Sequence, residues 1–351
     1  MTSRPWPATR CSTEPLLDWG DDMQAAIRDI AYHLPSRELT NAELAREFPD
    51  WGVEKISKKT GITSRRIAAD GECSSDLAVE AARALFARGA CRPEDIDFLL
   101  LCTQSPDYFL PTTACLLQDR LGIPTSAGAL DFNLGCSGYV YGLGLAKGLI
   151  ETGQAHRVLL ITAETYSKFL DPADRGVRTI FGDGAAATLV AADDDRPAIG
   201  PFVYGTDGRG AGRLIVRAGG MRQPRGGDAA DFLVMDGPEI FAFTIAAVPA
   251  MVQQLLSVAG MAPRDVDLFV FHQANRYMLV HLRNTLDIPP AKFPVCLQDC
   301  GNTVSSTIPI TLHRAREARE LRPGQTVMLV SFGVGYSWAA AMVRWRDHGG
   351  G

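Results

Sequence analysis

The sequence predicts an α/β protein made of two similar halves, and two pairs of repeated segments carry this prediction. The segment PEDIDFLLLCTQS (93–105) resembles PRDVDLFVFHQAN (263–275), which lies 170 residues further along the chain. In the same order, HRVLLITAETYS (156–167) resembles QTVMLVSFGVGYS (325–337). Self-similarity that repeats in order indicates a duplicated unit. We therefore expect each half to run helix, strand, helix, strand, with an N-terminal arm at 1–26 and halves at 27–197 and 198–351.

Continuous apolar runs predict strands that are buried on both faces of a sheet. They occupy 98–101, 158–161 and 327–330, and such runs are typical of parallel strands covered by helices. The sequence between them favours helices. The helix DLAVEAARALFARG begins after Ser75, with Asp76 placed to favour the positive end of the helix dipole, and Gly89 ends it.

The stretch LFVFHQANRYM (268–278) places polar side chains directly after a predicted strand. A lone histidine in this position is more often a hydrogen-bonded structural residue than a catalyst. In open α/β sheets, however, ligands bind at the carboxyl ends of the strands. We therefore expect His272 to lie at a ligand-binding edge of its sheet.

Composition excludes several classes of function. With 46% hydrophobic and 21% charged residues and a net charge of −5, the chain has the composition of a globular protein and gives no reason to expect nucleic acid as a partner. The N-terminus lacks the apolar region of a signal peptide, and no run of 18 apolar residues predicts a membrane span. The eight cysteines show neither paired spacing nor a C-x2-C pattern. We expect free thiols, a cytoplasmic location and no metal site.

One cysteine stands apart from the others. In GALDFNLGCSGYVYGLGLAKGLI (128–150), a short strand (129–132) leads through a turn to Cys136, and a glycine-rich helix follows. Unpaired amides and the dipole at a helix N-terminus favour a thiolate, which is the nucleophilic form. We therefore expect Cys136 to be a reactive thiol, whereas the other cysteines are interpreted as small core residues.

The motifs NLGCSG, FGDGAAA, HQAN, GNTVSSTIP and FGVGYSW occur together and in this order. As a set they resemble β-ketoacyl-acyl carrier protein synthase III, a family of the thiolase superfamily, from Ile27 to Trp345. The resemblance implies a thiolase-like five-layer αβαβα fold and a decarboxylative Claisen condensation. It implies Cys136 as the nucleophile and His272 with Asn302 as hydrogen-bond donors, although Asn302 alone could be a turn or capping residue. It also implies an oxyanion hole made by the backbone amides of Cys136 and Val334.

The resemblance further implies binding residues and partners. Acyl-coenzyme A and malonyl thioesters are the implied substrates, no cofactor is required, and a homodimer is expected. The residues assigned to substrate binding are Lys59, Leu110, Arg175, Phe181, Asn275 and Phe332. Acidic acyl carrier protein is the expected partner, and the residues assigned to its docking are Gln273, Arg276 and Arg283.

The chain departs from the family at several binding positions. Lys55 and Lys59 stand where well-known members have an aromatic residue and an arginine that hold adenine, and Leu110 stands where many have phenylalanine. Val334 interrupts consecutive glycines. These departures leave open the primer and whether it arrives on coenzyme A or on a carrier protein.

Three other functions compete with the condensation. An acyltransferase of the same fold that acts on a hydroxyl or amine would have less need of Asn302. A non-catalytic partner subunit would have no use for an activated thiol. A hydrolase would need a Gly-x-Ser-x-Gly elbow and an acid partner, neither of which is evident. The condensing enzyme, with a product for fatty acid or polyketide-type metabolism, is therefore the main prediction.

Overall fold

The computed structural model describes residues 23–193, 198–227 and 231–346. Most of the predicted N-terminal arm, and the predicted boundary at 197, lie outside the described residues. The first strand begins at Gln24, slightly before the predicted start of the first half at residue 27. It continues without a break into that half, so the last three residues of the predicted arm belong to the folded body.

Thirteen strands and nine helices are formed by the described part of the chain. The strands are β1 (Gln24–His33), β2 (Arg37–Thr40), β3 (Ser64–Ile67), β4 (Phe98–Cys102), β5 (Gly128–Phe132), β6 (Arg157–Glu164), β7 (Gly184–Asp193), β8 (Ile199–Thr206), β9 (Leu214–Val216), β10 (Leu233–Met235), β11 (Leu268–Phe271), β12 (Thr326–Gly333) and β13 (Ser337–Arg344). The helices are α1 (Asn41–Glu47), α2 (Val53–Thr60), α3 (Ser74–Ala87), α4 (Thr113–Leu121), α5 (Gly138–Glu151), α6 (Arg175–Arg178), α7 (Gly237–Ala259), α8 (Arg276–Thr285) and α9 (Thr307–Glu317).

Two main sheets repeat one arrangement, which is what the repeated segments predict. The first sheet has the order β1-β7-β6-β4-β5, and the second has the order β11-β12-β13-β8. In each, the strand from the first repeat pairs in parallel with the strand from the second repeat: β4 with β6, and β11 with β12. Antiparallel β7 and β13 follow on the other side.

The repeats also share their local turn chemistry. A short 3₁₀ helix begins at a proline before β4 and again before β11. Asp95 accepts a hydrogen bond from the backbone amide of Arg92 at 3.0 Å, and Asp265 accepts one from Ala262 at 2.8 Å. The Asp-x-Asp pattern seen in the sequence is therefore a capping pattern that starts the same strand in each half.

Helices and sheets alternate in five layers, as the thiolase-like fold requires. Helices α5 and α9 lie between the sheets, and their apolar side chains share one buried cluster with residues of both sheets. Helices α3 and α4 cover the outer face of the first sheet, and α7 and α8 cover that of the second. A sheet buried on both faces explains why its strands are continuous apolar runs.

Helix α7 is the longest helix in the described part of the chain. It is the one described helix that is long and apolar enough, by length and composition, to cross a membrane. It instead packs one side on the second sheet, with Val248, Met251, Val252 and Leu255 buried. This packing accounts for its apolar face.

Candidate active site

Cys136 is held where β5 leads into α5. It lies two residues before the first residue of α5 and is buried, with 7% of its surface exposed. A Cβ atom added to Gly138 would lie 2.1 Å from the Cys102 sulfur, and one added to Gly333 would lie 2.7 Å from the Cys136 Cβ atom. Glycine at 333 therefore allows the predicted nucleophile to lie against the end of β12, and glycine at 138 allows the start of α5 to lie against Cys102.

The surroundings of Cys136 disfavour a thiolate, whereas the helix N-terminus considered in the sequence analysis favours one. Burial and the nearby Glu164 carboxyl raise the pKa of Cys136 to about 12. A neutral thiol is a weak nucleophile, so its proton must be removed as it attacks.

His272 directly follows β11, as predicted, and its surroundings keep it neutral. Its backbone amide donates to Val330 at 2.8 Å, which extends the pairing of β11 with β12 by one residue. The side chain is 2% exposed, and burial lowers the pKa of His272 to about 3, an effect opposed by a hydrogen bond with the Val304 backbone. The ring meets Phe332 edge to face, with centroids 5.6 Å apart.

One ring nitrogen of His272 contacts the segment that follows Asn302. Nδ1 of His272 lies 2.7 Å from the Thr307 hydroxyl. Thr307 is the first residue of α9 and is itself buried. Because Nδ1 is engaged there, Nε2 is the nitrogen that remains for a substrate or for Cys136.

The Asn302 amide has an orientation that the backbone fixes. Its Oδ1 accepts a hydrogen bond from the Val304 amide at 2.9 Å, and an N–H group can face only the oxygen of the side-chain amide. Its backbone forms a bridge with Phe181, through the amide of Asn302 to Ile180 at 2.9 Å and the amide of Gly182 to Asn302 at 3.0 Å. The Nδ2 group is left without an acceptor among the described residues, as a donor waiting for a ligand would be.

Val304 orients both donors through its backbone. Its φ is +54°, a conformation that a β-branched residue rarely adopts. In this conformation its amide faces Asn302, and its carbonyl accepts the Thr307 hydroxyl at 3.1 Å. Backbone strain of this kind costs about 1–3 kcal/mol and persists where surrounding contacts fix it, often at functional sites.

The candidate site lies between the two halves. Cys136 shares an apolar cluster with Phe181 and Val304, and the hydroxyls of Ser137 and Ser337 lie 2.6 Å apart across the halves. The Val334 amide has no hydrogen-bond acceptor in the described part of the chain, and the Cys136 amide has no acceptor there other than its own thiol. Two free amides are what the predicted oxyanion hole needs.

A cavity of about 860 Å³ adjoins this cluster; Val334 lines it, whereas Cys136, His272 and Asn302 are not among its lining residues. Tyr166, Leu214 and Leu233 belong to both the cavity wall and the Cys136 cluster. The wall also includes Tyr108 and Phe109, which are 60% and 62% exposed, and the adjacent Leu110 is 80% exposed. The cavity wall is mainly apolar and aromatic, as a channel for an acyl chain would be.

Glu164 is a buried acid beside this site that the sequence reasoning missed. It ends β6 and is fully buried, and burial raises the pKa of Glu164 to about 8. It accepts hydrogen bonds from the Gln104 amide at 3.0 Å and from the Ser105 and Ser305 hydroxyls at 3.1 and 2.8 Å. Ser305 follows Asn302 in the same loop, so Glu164 attaches that loop to the first half. The sequence signal that could have identified Glu164 is an ionisable residue at the end of an apolar strand, as at His272.

Several predicted binding residues cluster on α2 and α6. The Lys59 ammonium lies 4.8 Å and the Arg175 guanidinium 5.3 Å from the ring centre of Trp51, and Lys55 lies 5.6 Å from it. Trp51, which the sequence reasoning did not single out, organises this cationic cluster.

The residues after His272 have different surroundings from those predicted. Gln273 is 2% exposed; its amide donates to Phe271 at 2.7 Å and accepts from Cys296 at 2.9 Å. The prediction that Gln273 docks a carrier protein is therefore wrong, because its polar atoms stabilise the backbone below the site. Asn275 caps α8 by accepting from Met278 at 2.9 Å, and its assignment to substrate binding remains a prediction. Arg276 is exposed and Arg283 is half-buried on α8.

Among the described residues, no group of three or more histidine, cysteine, aspartate or glutamate side chains could hold a metal ion. The seven described cysteines are all free thiols.

Comparisons with known proteins agree with this geometry. The C-terminal domain of 3-oxoacyl-(acyl-carrier-protein) synthase III matches residues 256–345, and another domain of the same enzyme matches residues 130–208. The chain is 37% identical to β-ketoacyl-(acyl-carrier-protein) synthase III of Syntrophomonas wolfei over 330 residues, which are 93% of this chain and 99% of the relative.

Solved structures give the same result. A 2.1 Å crystal structure of 3-oxoacyl-(acyl-carrier-protein) synthase III is 56% identical, with a TM-score of 0.91 over 92% of this chain and 100% of that chain. The priming β-ketosynthase of the R1128 polyketide pathway is 30% identical, with a TM-score of 0.88 over 95% and 99% of the two chains. The fold, the motif order and these relatives show that the chain belongs to the β-ketoacyl-acyl carrier protein synthase III family, with the thiolase fold.

Proposed function

We propose that this protein is a β-ketoacyl synthase III-type enzyme that condenses an acyl primer with a malonyl thioester, with loss of CO₂. The observation that carries this proposal is the Asn302 amide, whose oxygen is held by the Val304 backbone while its NH₂ group is free. A simple acyl transfer has no need of that donor. Decarboxylation needs this donor, because negative charge develops on the malonyl thioester oxygen.

The first half-reaction loads the primer on Cys136. The sulfur attacks the thioester carbonyl of the primer, the new carbon–sulfur bond forms, and the primer's original thiol leaves. The free amides of Cys136 and Val334 would bind the oxygen of the tetrahedral intermediate. Exchange of one thioester for another is nearly thermoneutral, so the acyl group on Cys136 stays activated for the second step.

The second half-reaction forms the carbon–carbon bond. Loss of CO₂ from the malonyl thioester leaves a carbanion, whose negative charge is shared with the thioester oxygen. His272 and Asn302 would donate hydrogen bonds to that oxygen, each contributing about 3 kcal/mol to the transition state. The carbanion then attacks the acyl carbon on Cys136, and the Cys136 sulfur leaves.

The apolar cavity supports an acyl primer, and two carriers for it are compatible with the surface. The cationic cluster around Trp51 fits the phosphates of coenzyme A, whereas the exposed Arg276 on α8 fits an acidic carrier protein. The product would enter fatty acid or polyketide-type metabolism. We also propose a cytoplasmic homodimer, in which the exposed Tyr108, Phe109 and Leu110 of one subunit contact the partner subunit.

The test is a two-stage reaction with a panel of acyl-coenzyme A primers and malonyl-carrier protein labelled in the free carboxyl group. The proposal predicts equal amounts of released labelled CO₂ and of β-ketoacyl-carrier protein. Acyl transfer to a hydroxyl or amine without CO₂ release would contradict it and would favour the acyltransferase of the same fold.

A further inference from the structure

The His272–Thr307–Val304 contacts form a hydrogen-bonded chain with one possible direction. Nδ1 of His272 lies 2.7 Å from the Thr307 hydroxyl oxygen, and that oxygen lies 3.1 Å from the Val304 carbonyl. The hydroxyl has one proton and two such neighbours. All three residues are buried, so their donors and acceptors must find hydrogen-bond partners among one another.

The Val304 carbonyl decides the direction, because a carbonyl oxygen can only accept. If the Thr307 proton pointed at Nδ1, two oxygen atoms bearing only lone pairs would face each other at 3.1 Å. If it points at the carbonyl, Thr307 is free to accept, and Nδ1 must carry a proton to donate to it. The chain then runs from Nδ1–H of His272 to Thr307 and from Thr307 to Val304.

A neutral imidazole has one ring proton, so a proton on Nδ1 leaves Nε2 with a lone pair. Burial disfavours a thiolate at Cys136, so its proton needs an acceptor as the sulfur attacks, and a lone pair on Nε2 of His272 would provide one. His272 and Cys136 contact adjacent residues at the end of β12, namely Phe332 and Gly333.

We propose that Thr307 is a positioning residue that fixes His272 in the Nδ1–H form, so that Nε2 acts as a shuttle for the Cys136 proton. This inference rests on the proposed condensation and assigns a role to a hydroxyl outside the Cys136, His272 and Asn302 set. When the primer is loaded, the thiol proton moves to Nε2 as sulfur attacks the carbonyl. The primer's thiol leaves as a thiolate and takes a proton from water.

The transferred proton then serves the second half-reaction. On Nε2 it is the hydrogen-bond donor to the malonyl thioester oxygen, beside Nδ2 of Asn302. When the carbanion has attacked, the Cys136 sulfur leaves as a thiolate and takes the proton back from Nε2. His272 returns to its neutral Nδ1–H form. The overall cycle takes up one proton, from water, which matches the one proton that decarboxylative condensation consumes.

The direct test is the ¹⁵N NMR spectrum of the resting dimer with labelled histidine, in which a His272→Ala sample identifies the His272 signals among those of six histidines. The proposal predicts a pyrrole-type Nδ1 and a pyridine-type Nε2. The reverse pattern would overturn it, whatever the variants do.

Kinetics of matched variants give the second test. Thr307→Val removes the hydroxyl at constant shape and should slow single-turnover acylation on the order of 100-fold, as loss of a positioned base does. Thr307→Ser keeps the hydroxyl and should restore acylation. Thr311→Val is the control, because Thr311 lies one turn along α9, is equally buried and bonds the Thr307 carbonyl, at 2.8 Å, rather than His272.

Each outcome separates this inference from the proposed function. A folded Thr307→Val variant that acylates at the wild-type rate contradicts the shuttle, even if condensation proceeds. If that variant does not fold, the NMR spectrum of the wild-type enzyme decides. If the wild-type enzyme gave the predicted spectrum but released no CO₂, the proposed condensation would be contradicted. The role of Thr307 in acylation would still stand.

Discussion

Replacement of Asn302 by alanine separates the two half-reactions. The side chain makes two contributions: its oxygen accepts from the Val304 amide at 2.9 Å, and its NH₂ group is free to donate to substrate. Loss of one donor to a developing oxyanion lowers kcat about 10²–10³-fold, or about 2.7–4 kcal/mol. We expect condensation to fall by this factor. Acylation should fall far less, because the Cys136 and Val334 amides serve that step.

The same substitution has a structural cost that must be measured separately. A buried Val304 amide left without an acceptor costs about 1–3 kcal/mol of stability. Asp265→Ala is the matched control, since Asp265 also accepts a backbone amide, at 2.8 Å from Ala262, and its loss removes a helix cap of about 1 kcal/mol. Both variants should melt at lower temperature than the wild type.

Single-turnover measurements on preloaded enzyme provide the assay. Acyl-enzyme is followed by intact-protein mass spectrometry, and condensation is followed by release of labelled CO₂. If Asn302→Ala condensed at the rate of the Asp265→Ala control, the amide would have no role in decarboxylation. If acylation and condensation fell equally, Asn302 would be a structural residue.

Four further outcomes follow from the structure. Alkylation of Cys136 by iodoacetamide should rise about tenfold per pH unit from pH 7 to 9, because the pKa of the thiol is raised to about 12; a plateau below pH 8 would indicate a resting thiolate. Gly333→Ala should abolish acylation, since its Cβ would lie 3.0 Å from the Cys136 sulfur, whereas Gly148→Ala, with no atom within 4 Å, should stay active. Leu110→Glu should give a monomer by light scattering; an unchanged dimer would place the subunit contact elsewhere. Arg276→Glu should raise KM for malonyl-carrier protein, less so in high salt, with acylation by a small primer unchanged; equal loss of both half-reactions would mean that Arg276 is structural.

The fold was predictable because its signals are local and repeated. The proline-acidic turns and apolar runs recur in both halves, and the structure confirms that they form equivalent strands in two sheets. The place of Asp76 in the first turn of α3 was also predictable, although the helix starts at Ser74, two residues earlier than expected, and the Asp76 carboxylate accepts the Cys73 amide at 2.7 Å. The segment 237–259 shows what sequence could not predict. A helix that crosses a membrane and an apolar helix that packs on a sheet can have the same length and composition, and they differ only in what packs against them.

The location of the candidate site residues followed from motif order, but their ionisation did not. The pKa of Cys136 depends on burial and on Glu164, and the apolar cluster around the thiol includes Leu214 and Leu233, about 80 and 100 residues further along the chain. A helix N-terminus, which the sequence shows, was therefore outweighed by surroundings that it does not show. The neutral thiol is the reason that a proton acceptor, His272, enters the mechanism.

Exposure was the second property that sequence could not provide. Gln273 stands between two residues of a recognised motif, yet the Cys296 amide covers it from 23 residues away. Thr307 was visible within GNTVSSTIP, but its contact with His272 depends on the left-handed backbone of Val304. Such a conformation in a valine has no signal in the sequence.

The measurement that tests the central claim most directly is peptide mapping of the acyl-enzyme before and after a chase with malonyl-carrier protein. We expect the acyl group on Cys136 alone, no adduct in Cys136→Ala, and complete discharge of the wild-type adduct into β-ketoacyl-carrier protein with CO₂ release. An adduct on another residue would contradict the assignment of the nucleophile. An adduct on Cys136 that malonyl-carrier protein leaves in place would contradict the condensation.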